Sequence, residues 1–173
     1  MAALRLILKG NFRGAYAHGQ KPHYDAHMRS QIPIPGALTR ALRKAGIPTP
    51  QDAPSQLGGS YLLCMHLNDC VSVSYGAHKD KPLSPGWYIY AGSAYGPGGL
   101  RARISRHLRK EKPIHWHVDQ LTSQSEIQAI ALPGANECDL VVRLLDSGAF
   151  TVPAKGFGST DCRNCESHLL AYA

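Results

Sequence analysis

Gly59-Ser60-Tyr61 and Tyr90-Ala91-Gly92-Ser93-Ala94 are two short tyrosine- and glycine-containing segments that precede a basic run, Leu100-Arg-Ala-Arg-Ile-Ser-Arg-His-Leu-Arg-Lys110. The basic run predicts a helix on which Arg103 and His107, four residues apart, share one face. A guanidinium, an imidazole and two tyrosine hydroxyls aimed at one place suit phosphodiester chemistry. They supply charge for the phosphate, donors for its oxygens and candidate proton acceptors.

The segments around this core predict a compact α+β domain that begins near Gly59. We expect a small, mostly antiparallel sheet of three to four strands flanked by helices. Residues 76–86 are rich in Gly, Lys and Pro and predict a loop. The strands are predicted at residues 60–67, 71–75, 87–91 and 127–132, and the helices at 100–110, at 115–121 as a short helix or turn, and from an Asn136 N-cap to about Asp146.

The charge of the chain is unevenly distributed, although its net value is +7. Residues 1–57 hold eight Lys or Arg and two Asp, and their prolines predict a basic, partly disordered extension with one short helix at 37–45. Residues 58–173 form the predicted domain, and residues 101–112 alone contribute six positive charges and one negative charge. One concentrated basic helix on a nearly neutral domain indicates a local site for a polyanion.

Composition also bears on the compartment. No stretch reaches the ~20 apolar residues of a membrane helix, so we expect no membrane partner. Arg5 and Lys9 interrupt the apolar start, which argues against a secretory signal, while the lack of acidic residues before Asp25 leaves organelle targeting open. Five cysteines without a secretion signal favour a reduced protein in the cytoplasm, associated with the nucleoid, and Cys64 is expected to be buried in a strand.

A second constellation lies near the C-terminus. The spacing Cys162-x-x-Cys165-x-x-His168 is typical of zinc ligands, and three other side chains could complete the site: Cys138, His115 or His117. The alternative is a C-terminal turn in which Asp161 and His168 satisfy backbone groups. A dithiol redox pair is disfavoured, because the surrounding pattern is not a βαβ unit.

Taken in order, the motifs of residues 59–170 resemble a GIY-YIG nuclease domain. They most resemble a subgroup that occurs alone or fused to endonuclease-III-like repair glycosylases. The motifs that carry the resemblance are Tyr90-Ala-Gly-Ser-Ala94, Arg103 with His107, His115-Trp-His117, Glu137-Cys138, Gly156-Phe-Gly-Ser-Thr-Asp-Cys162, and Ser167-His-Leu169.

The resemblance implies a metal-dependent endonuclease that hydrolyses DNA phosphodiester bonds in repair or recombination. It implies that Tyr61 and Tyr90 are the signature tyrosines, that Arg103 binds phosphate and that Glu137 binds Mg²⁺ or Mn²⁺. His107 matches a histidine that many members carry on the same helix.

The chain departs from the pattern of the family at three points. Ser60 stands where the first motif usually has isoleucine, and the interval from Tyr61 to Tyr90 is longer than in many members. A late polar residue on the metal side has no clear counterpart. Neither of the first two departures removes a side chain that the chemistry needs.

Hydrolysis would need a proton acceptor, and an unperturbed tyrosine with a pKa near ~10 is a poor one. We therefore expect the metal ion or Arg103 to lower the pKa of one tyrosine. DNA, with RNA as the alternative, is the expected partner, and four side chains are expected to contact backbone phosphates without reading sequence: Arg101, Arg106, Arg109 and Lys110.

Two other functions remain open at this point. The same fold could grip nucleic acid without cutting it, or the C-terminal cluster could make a zinc-stabilised adaptor. Each residue alone also has a structural explanation, since strand tyrosines usually pack in cores and Glu137 could complement a helix dipole. The orientation of Glu137 relative to Tyr61 and Arg103 separates the catalytic interpretation from the binding interpretation.

Overall fold

The computed structural model describes residues 32–48 and 56–173. The predictions for residues 1–31 and 49–55, including the start of the basic extension and its targeting signal, lie outside the described residues. In the part of the chain that is described, none of the helices has the length and apolar character needed to span a bilayer.

The described part of the chain is a mixed α and β structure, as the sequence predicts. Its strands form one antiparallel sheet of five and a second sheet of two. The helices are α1 (Gly36–Lys44), α2 (Gly99–Leu108), α3 (Asp119–Thr122) and α4 (Glu137–Asp146), and the strands are β1 (Gly59–Leu67), β2 (Val71–Tyr75), β3 (His78–Leu83), β4 (Gly86–Ser93), β5 (Glu126–Pro133), β6 (Phe150–Thr151) and β7 (Leu169–Tyr172).

The large sheet has the order β5-β1-β4-β7-β6, so β1 pairs on both edges and is buried along almost its whole length. The alternation of β1 divides its side chains between two cores. Tyr61, Leu63 and Met65 face one core, which also contains α2, α3 and the small sheet, whereas Leu62 and Cys64 face the second core beneath α1 and α4.

The predicted loop at residues 76–86 is wrong in part, because residues 78–83 form β3 and pair with β2. All of β3 except Leu83 is exposed, so no apolar alternation marks it as a strand. The sheet also has more strands than the three to four expected. The two that were missed, β6 and β7, have only two and four residues, too short for a periodic signal.

The helix predicted at 37–45 is present as α1, and it belongs to the core of the domain. Leu38 and Leu42 are buried against the sheet. Lys44 Nζ donates to the carbonyl of Ser147 at 2.8 Å, and Arg143 Nε donates to the carbonyl of Ala45 at 3.0 Å. Residues 36–44 therefore pack as part of the domain, although the sequence assigns them to the extension.

Helix α4 begins where the sequence predicts, with Asn136 as its N-cap. The Asn136 Oδ1 atom accepts hydrogen bonds from the backbone N–H groups of Cys138 at 2.8 Å and Asp139 at 3.3 Å. This cap fixes the first turn of α4, which carries both Glu137 and Cys138.

Replacing Leu38 by alanine tests whether α1 is part of the domain. Leu38 is fully buried, so Leu38→Ala leaves a cavity and is expected to lower the free energy of unfolding by about 2–5 kcal/mol. The matched control is Val142→Ala on α4, where the side chain is 52% exposed and the expected change is within about 0.5 kcal/mol. Equal effects of the two variants in urea unfolding would place α1 outside the cooperative unit.

Candidate active site

A cavity of about 380 Å³ opens where the sheet meets α2, α4 and the loop of residues 152–168. Four of the five predicted catalytic side chains line it, and they come from four elements. Tyr61 lies on β1, Tyr90 on β4, Arg103 on α2 and Glu137 on α4. Glu137 thus faces the same cavity as Tyr61 and Arg103, which is the orientation that the catalytic interpretation requires.

The two tyrosines are packed onto glycines. Tyr61 is the cross-strand partner of Gly92, and a Cβ atom at that glycine would lie 2.3 Å from the Tyr61 hydroxyl oxygen. Gly158, at a φ of +71°, lies under Tyr90, where a Cβ atom would be 2.6 Å from the ring. The glycines of the two motifs therefore give the tyrosine rings room to lie in the floor of the cavity.

His107 lies behind Tyr61 and does not line the cavity. Its Nε2 atom is 2.9 Å from the Tyr61 hydroxyl, and its side chain is fully buried. Its Nδ1 atom is 3.4 Å from Asp119 Oδ1. The sequence places His107 on the same helical face as Arg103, but His107 is buried behind Tyr61, so it reaches the cavity only through the Tyr61 hydroxyl.

Asp119 is a component of the site that sequence reasoning missed. It is fully buried, and its carboxylate accepts two hydrogen bonds from Arg106 at 3.0 Å and the N–H groups of His115 and Trp116 at 2.9 Å. Burial opposes ionisation, but these donors outweigh it and hold the pKa of Asp119 below its ordinary value. An isolated aspartate in a short helical segment gave no sequence signal of this role.

The protonation states follow from burial. Burial lowers the pKa of His107 to about 4, against a partial opposing effect of Asp119, so the imidazole is neutral near pH 7. Burial also raises the pKa of Tyr61 far above its ordinary value and that of Tyr90 to about 12, although Arg103 opposes both shifts. Arg103 therefore does not bring the pKa of either tyrosine below its ordinary value, because desolvation is the larger effect, and the alternative that a metal ion lowers the pKa stays a prediction.

Arg103 is the free cation of the cavity. Its guanidinium stacks 4.2 Å from the centre of the Trp116 ring, and it forms no ion pair or hydrogen bond with any described residue. Arg106 stacks on the same ring at 4.3 Å but is paired with Asp119. A half-buried, oriented guanidinium without a carboxylate partner is suited to binding a phosphate oxygen.

The four predicted phosphate contacts divide into two groups. Arg101 and Arg109 are exposed and are available to a polyanion. Arg106 is engaged by Asp119 and by the carbonyl of Pro113, and Lys110 Nζ donates to the carbonyl of Ser125. Part of the donor capacity of these two side chains is therefore used inside the protein, and all four phosphate contacts stay predictions.

Ser60 lies beside Glu137. Ser60 is fully buried, and its Oγ atom donates to the carbonyl of Ala135 at 2.8 Å and lies 3.4 Å from Glu137 Oε2. A serine at this position therefore places a hydroxyl against the carboxylate, which isoleucine could not do. The half-buried Glu137 is held between β1 and the capped first turn of α4.

The C-terminal cluster gathers around a common point. The ligand atoms of four side chains lie within 4.8 Å of one another: Cys138, Cys162, Cys165 and His168. Cys138 supplies the fourth position, whereas His115 and His117 line the cavity. Three sulfurs and one imidazole in this arrangement can bind a metal ion.

The details of the cluster suit a cation. The sulfurs of Cys138 and Cys162 are 3.4 Å apart, close to the ~3.8 Å edge of a tetrahedron with ~2.3 Å metal–sulfur bonds. The Nε2 atom of His168 is buried and has no hydrogen-bond partner among the described residues. The N–H groups of Asn164 and Cys165 outweigh burial and lower the pKa of Cys162, which favours a thiolate there, whereas burial raises the pKa of Cys138 and of Cys165.

His107 makes the stability of the protein depend on pH. The pKa of His107 has its ordinary value of 6.5 in the unfolded chain and is about 4 in the folded chain. This contribution to stability is present above pH 6.5 and is lost as the pH falls toward 4. We expect His107 to account for a loss of about 2 kcal/mol between neutral pH and a pH of about 5.

The measurement is urea unfolding across this pH range. His107→Gln should flatten the dependence relative to the wild type, and His78→Gln, on the exposed strand β3, should leave it unchanged. If the free energy of unfolding of His107→Gln depends on pH as steeply as that of the wild type, the claim that the buried imidazole of His107 is neutral would be contradicted.

Residues 60–173 of the chain match a known protein family. No curated protein and no solved structure matches the chain. Residues 60–173, which contain the sheet, the cavity and the cysteine cluster, match the family described as Domain of unknown function DUF123. The chain therefore belongs to this family.

Proposed function

We propose that this cavity hydrolyses phosphodiester bonds in DNA with the help of a divalent cation, as the GIY-YIG resemblance implies. The observation that carries the proposal is the convergence of an unpaired Arg103, two tyrosine hydroxyls and the Glu137 carboxylate on one cavity. These groups complement a phosphate, its attacking water and its counterion. RNA shares this backbone chemistry and is the alternative substrate.

Arg103 is proposed to bind a non-bridging oxygen of the phosphate. Its stacking on Trp116 fixes the plane of the guanidinium, so less conformational entropy is lost when the phosphate binds. The Arg103 charge also stabilises the additional negative charge of the pentacovalent phosphate, and this interaction strengthens as the transition state forms.

A proton path leads from the cavity into the protein. Because burial keeps Tyr61 protonated, its hydroxyl oxygen can accept a proton from water only as it passes its own proton to His107 Nε2. The O–H bond of the water breaks as its oxygen attacks phosphorus, the bond from phosphorus to the leaving oxygen breaks, and the leaving oxygen takes a proton from solvent. His107 is an imidazolium only until it returns its proton to solvent through Tyr61, because its pKa is about 4. The Asp119 carboxylate, 3.4 Å from Nδ1, stabilises that positive charge.

Glu137 is proposed to hold Mg²⁺ or Mn²⁺. Hard cations of this kind take carboxylate oxygens and keep several waters, and the half-buried Glu137 carboxylate faces the cavity as such a ligand would. When bound, the ion supplies positive charge for the leaving oxygen. Ser60 orients the Glu137 carboxylate from the side of the sheet.

DNA is proposed to approach along the exposed side of α2. Arg101 and Arg109 would contact backbone phosphates on either side of the bound phosphodiester and would read no sequence. We place this activity in DNA repair or recombination at the nucleoid of the cytoplasm, a reducing setting that suits the free cysteines.

For the cysteine cluster we propose Zn²⁺ as the resident ion. Three thiolates and one imidazole are the donors of a closed structural zinc site, and four protein ligands leave no open position for catalysis. A zinc-stabilised adaptor is therefore the second candidate function. The cavity beside the cluster, with its unpaired Arg103, favours the nuclease.

Removal of the negative charge of Glu137 on α4 tests the proposed nuclease activity. Glu137→Gln keeps the size of the side chain but loses the cation ligand, so we expect cleavage of plain, nicked and branched DNA with Mg²⁺ or Mn²⁺ to fall by at least about 100-fold. The matched control is Asp139→Asn, which removes an exposed carboxylate from the same turn and should cut at the wild-type rate.

The same variants separate cutting from binding. Without metal, Glu137→Gln should bind DNA as the wild type does, whereas Arg109→Ala should bind every sequence more weakly and lower the salt slope by about one. Cleavage that persists in Glu137→Gln would remove the catalytic assignment. Binding without cleavage by the wild-type protein would favour the non-catalytic module.

Zinc is tested by elemental analysis of the reduced, tag-free protein. We expect about one zinc ion per chain in the wild type. Cys162→Ser should lose it, and Cys70→Ser, at an exposed cysteine outside the cluster, should keep it. Zinc near zero in the wild type, with a thermal midpoint unchanged by chelation, would contradict the site.

A further inference from the structure

The cavity and the metal-binding cluster are connected at two places in the chain, where a residue that lines the cavity is followed directly by a residue of the cluster. On α4, Glu137 lines the cavity while Cys138 belongs to the cluster. In the loop that precedes β7, Asp161 lines the cavity while Cys162 belongs to the cluster. The two cysteine sulfurs lie 3.4 Å apart, so joining them also brings the two preceding carboxylates to one cavity.

We infer that the Cys138–Cys162–Cys165–His168 centre is a clamp that holds Glu137 and Asp161 together as a two-carboxylate site for a hard divalent cation. The inference rests on the proposed function in taking the cavity as the place where that cation acts. It adds Asp161 as a ligand and gives the zinc ion a positioning role.

The loop carrying Asp161 depends on the cluster for its attachment to α4. Residues 152–168 contain no helix or strand. The hydrogen bonds that the structure gives to residues 159–165 run to residues 156–166, apart from those to Cys138. Cys162 and Cys165 both contact the Cys138 sulfur, and these contacts tie the loop to the first turn of α4.

His168 connects the two sites. It is 5% exposed, lines the cavity and belongs to the cluster, and its Nε2 atom has no hydrogen-bond partner among the described residues. A cluster ion bound to this imidazole would fix one wall of the cavity. The soft sulfur and imidazole donors suit zinc, whereas the two carboxylates suit Mg²⁺ or Mn²⁺, so one protein can hold both ions without exchange.

The test is the binding of Mn²⁺ to the zinc-loaded protein, measured by calorimetry and by the electron paramagnetic resonance of free Mn²⁺. We expect Asp161→Asn to weaken Mn²⁺ binding by at least about tenfold, and Cys162→Ser, through loss of zinc, by about 10- to 100-fold. The matched controls Asp139→Asn and Cys70→Ser should bind Mn²⁺ as the wild type does.

Two outcomes would overturn the clamp. One is Asp161→Asn binding Mn²⁺ as tightly as Asp139→Asn does. The other is Cys162→Ser that has lost zinc but still binds Mn²⁺ with wild-type affinity. If Cys162→Ser fails to fold, wild-type protein stripped of zinc and then reloaded provides the same measurement, since Mn²⁺ affinity should fall and return.

Mn²⁺ binding also separates this inference from the proposed nuclease. Wild-type protein that binds Mn²⁺ through Asp161 but cuts no DNA or RNA would sustain the two-carboxylate site and contradict the nuclease. Wild-type protein that cuts DNA with full dependence on Glu137, and shows no effect of Asp161→Asn, would sustain the nuclease and contradict the clamp.

Discussion

The burial of the Tyr61 hydroxyl against His107 is the interaction on which the geometry of the site depends. Tyr61 lies on the central strand, and its cross-strand partner Gly92 leaves room for its ring. A buried hydroxyl needs a hydrogen-bond partner, and the Nε2 atom of His107 provides it from α2 at 2.9 Å. Because Asp119 lies behind His107, one chain of polar groups joins the sheet, α2 and α3.

The second half of the site is fixed from the opposite side. The Asn136 cap sets the first turn of α4, and the Ser60 hydroxyl on β1 lies 3.4 Å from the Glu137 carboxylate. The cysteine cluster ties the following residue, Cys138, to the C-terminal loop. Arg103, stacked on Trp116, lies between these two halves without an ion pair to any described residue, in a cavity that also contains the carboxylates of Glu137 and Asp161.

Much of this arrangement can be predicted from the sequence because it depends on local pattern. The apolar strand at 60–67, the helix that begins at Leu100 and the Asn136 cap are local signals, and each is present in the structure. The structure brings four of the predicted site residues to one cavity: Tyr61, Tyr90, Arg103 and Glu137. Asp119, Ser60 and Asp161 were not predicted as site residues, because their roles depend on partners far away in the chain or on the fold of an irregular loop. The raised tyrosine pKa values also depend on burial, which sequence motifs do not report.

The most direct measurement is anomalous diffraction from a crystal of the zinc-loaded protein with Mn²⁺ and a short DNA duplex, recorded at both metal absorption edges. The expected result is a zinc peak among Cys138, Cys162, Cys165 and His168, and a manganese peak in the cavity beside Glu137. A DNA phosphate should lie against Arg103 in the same crystal. Manganese bound away from Glu137, with the phosphate outside the cavity, would contradict a phosphodiesterase centre at this place.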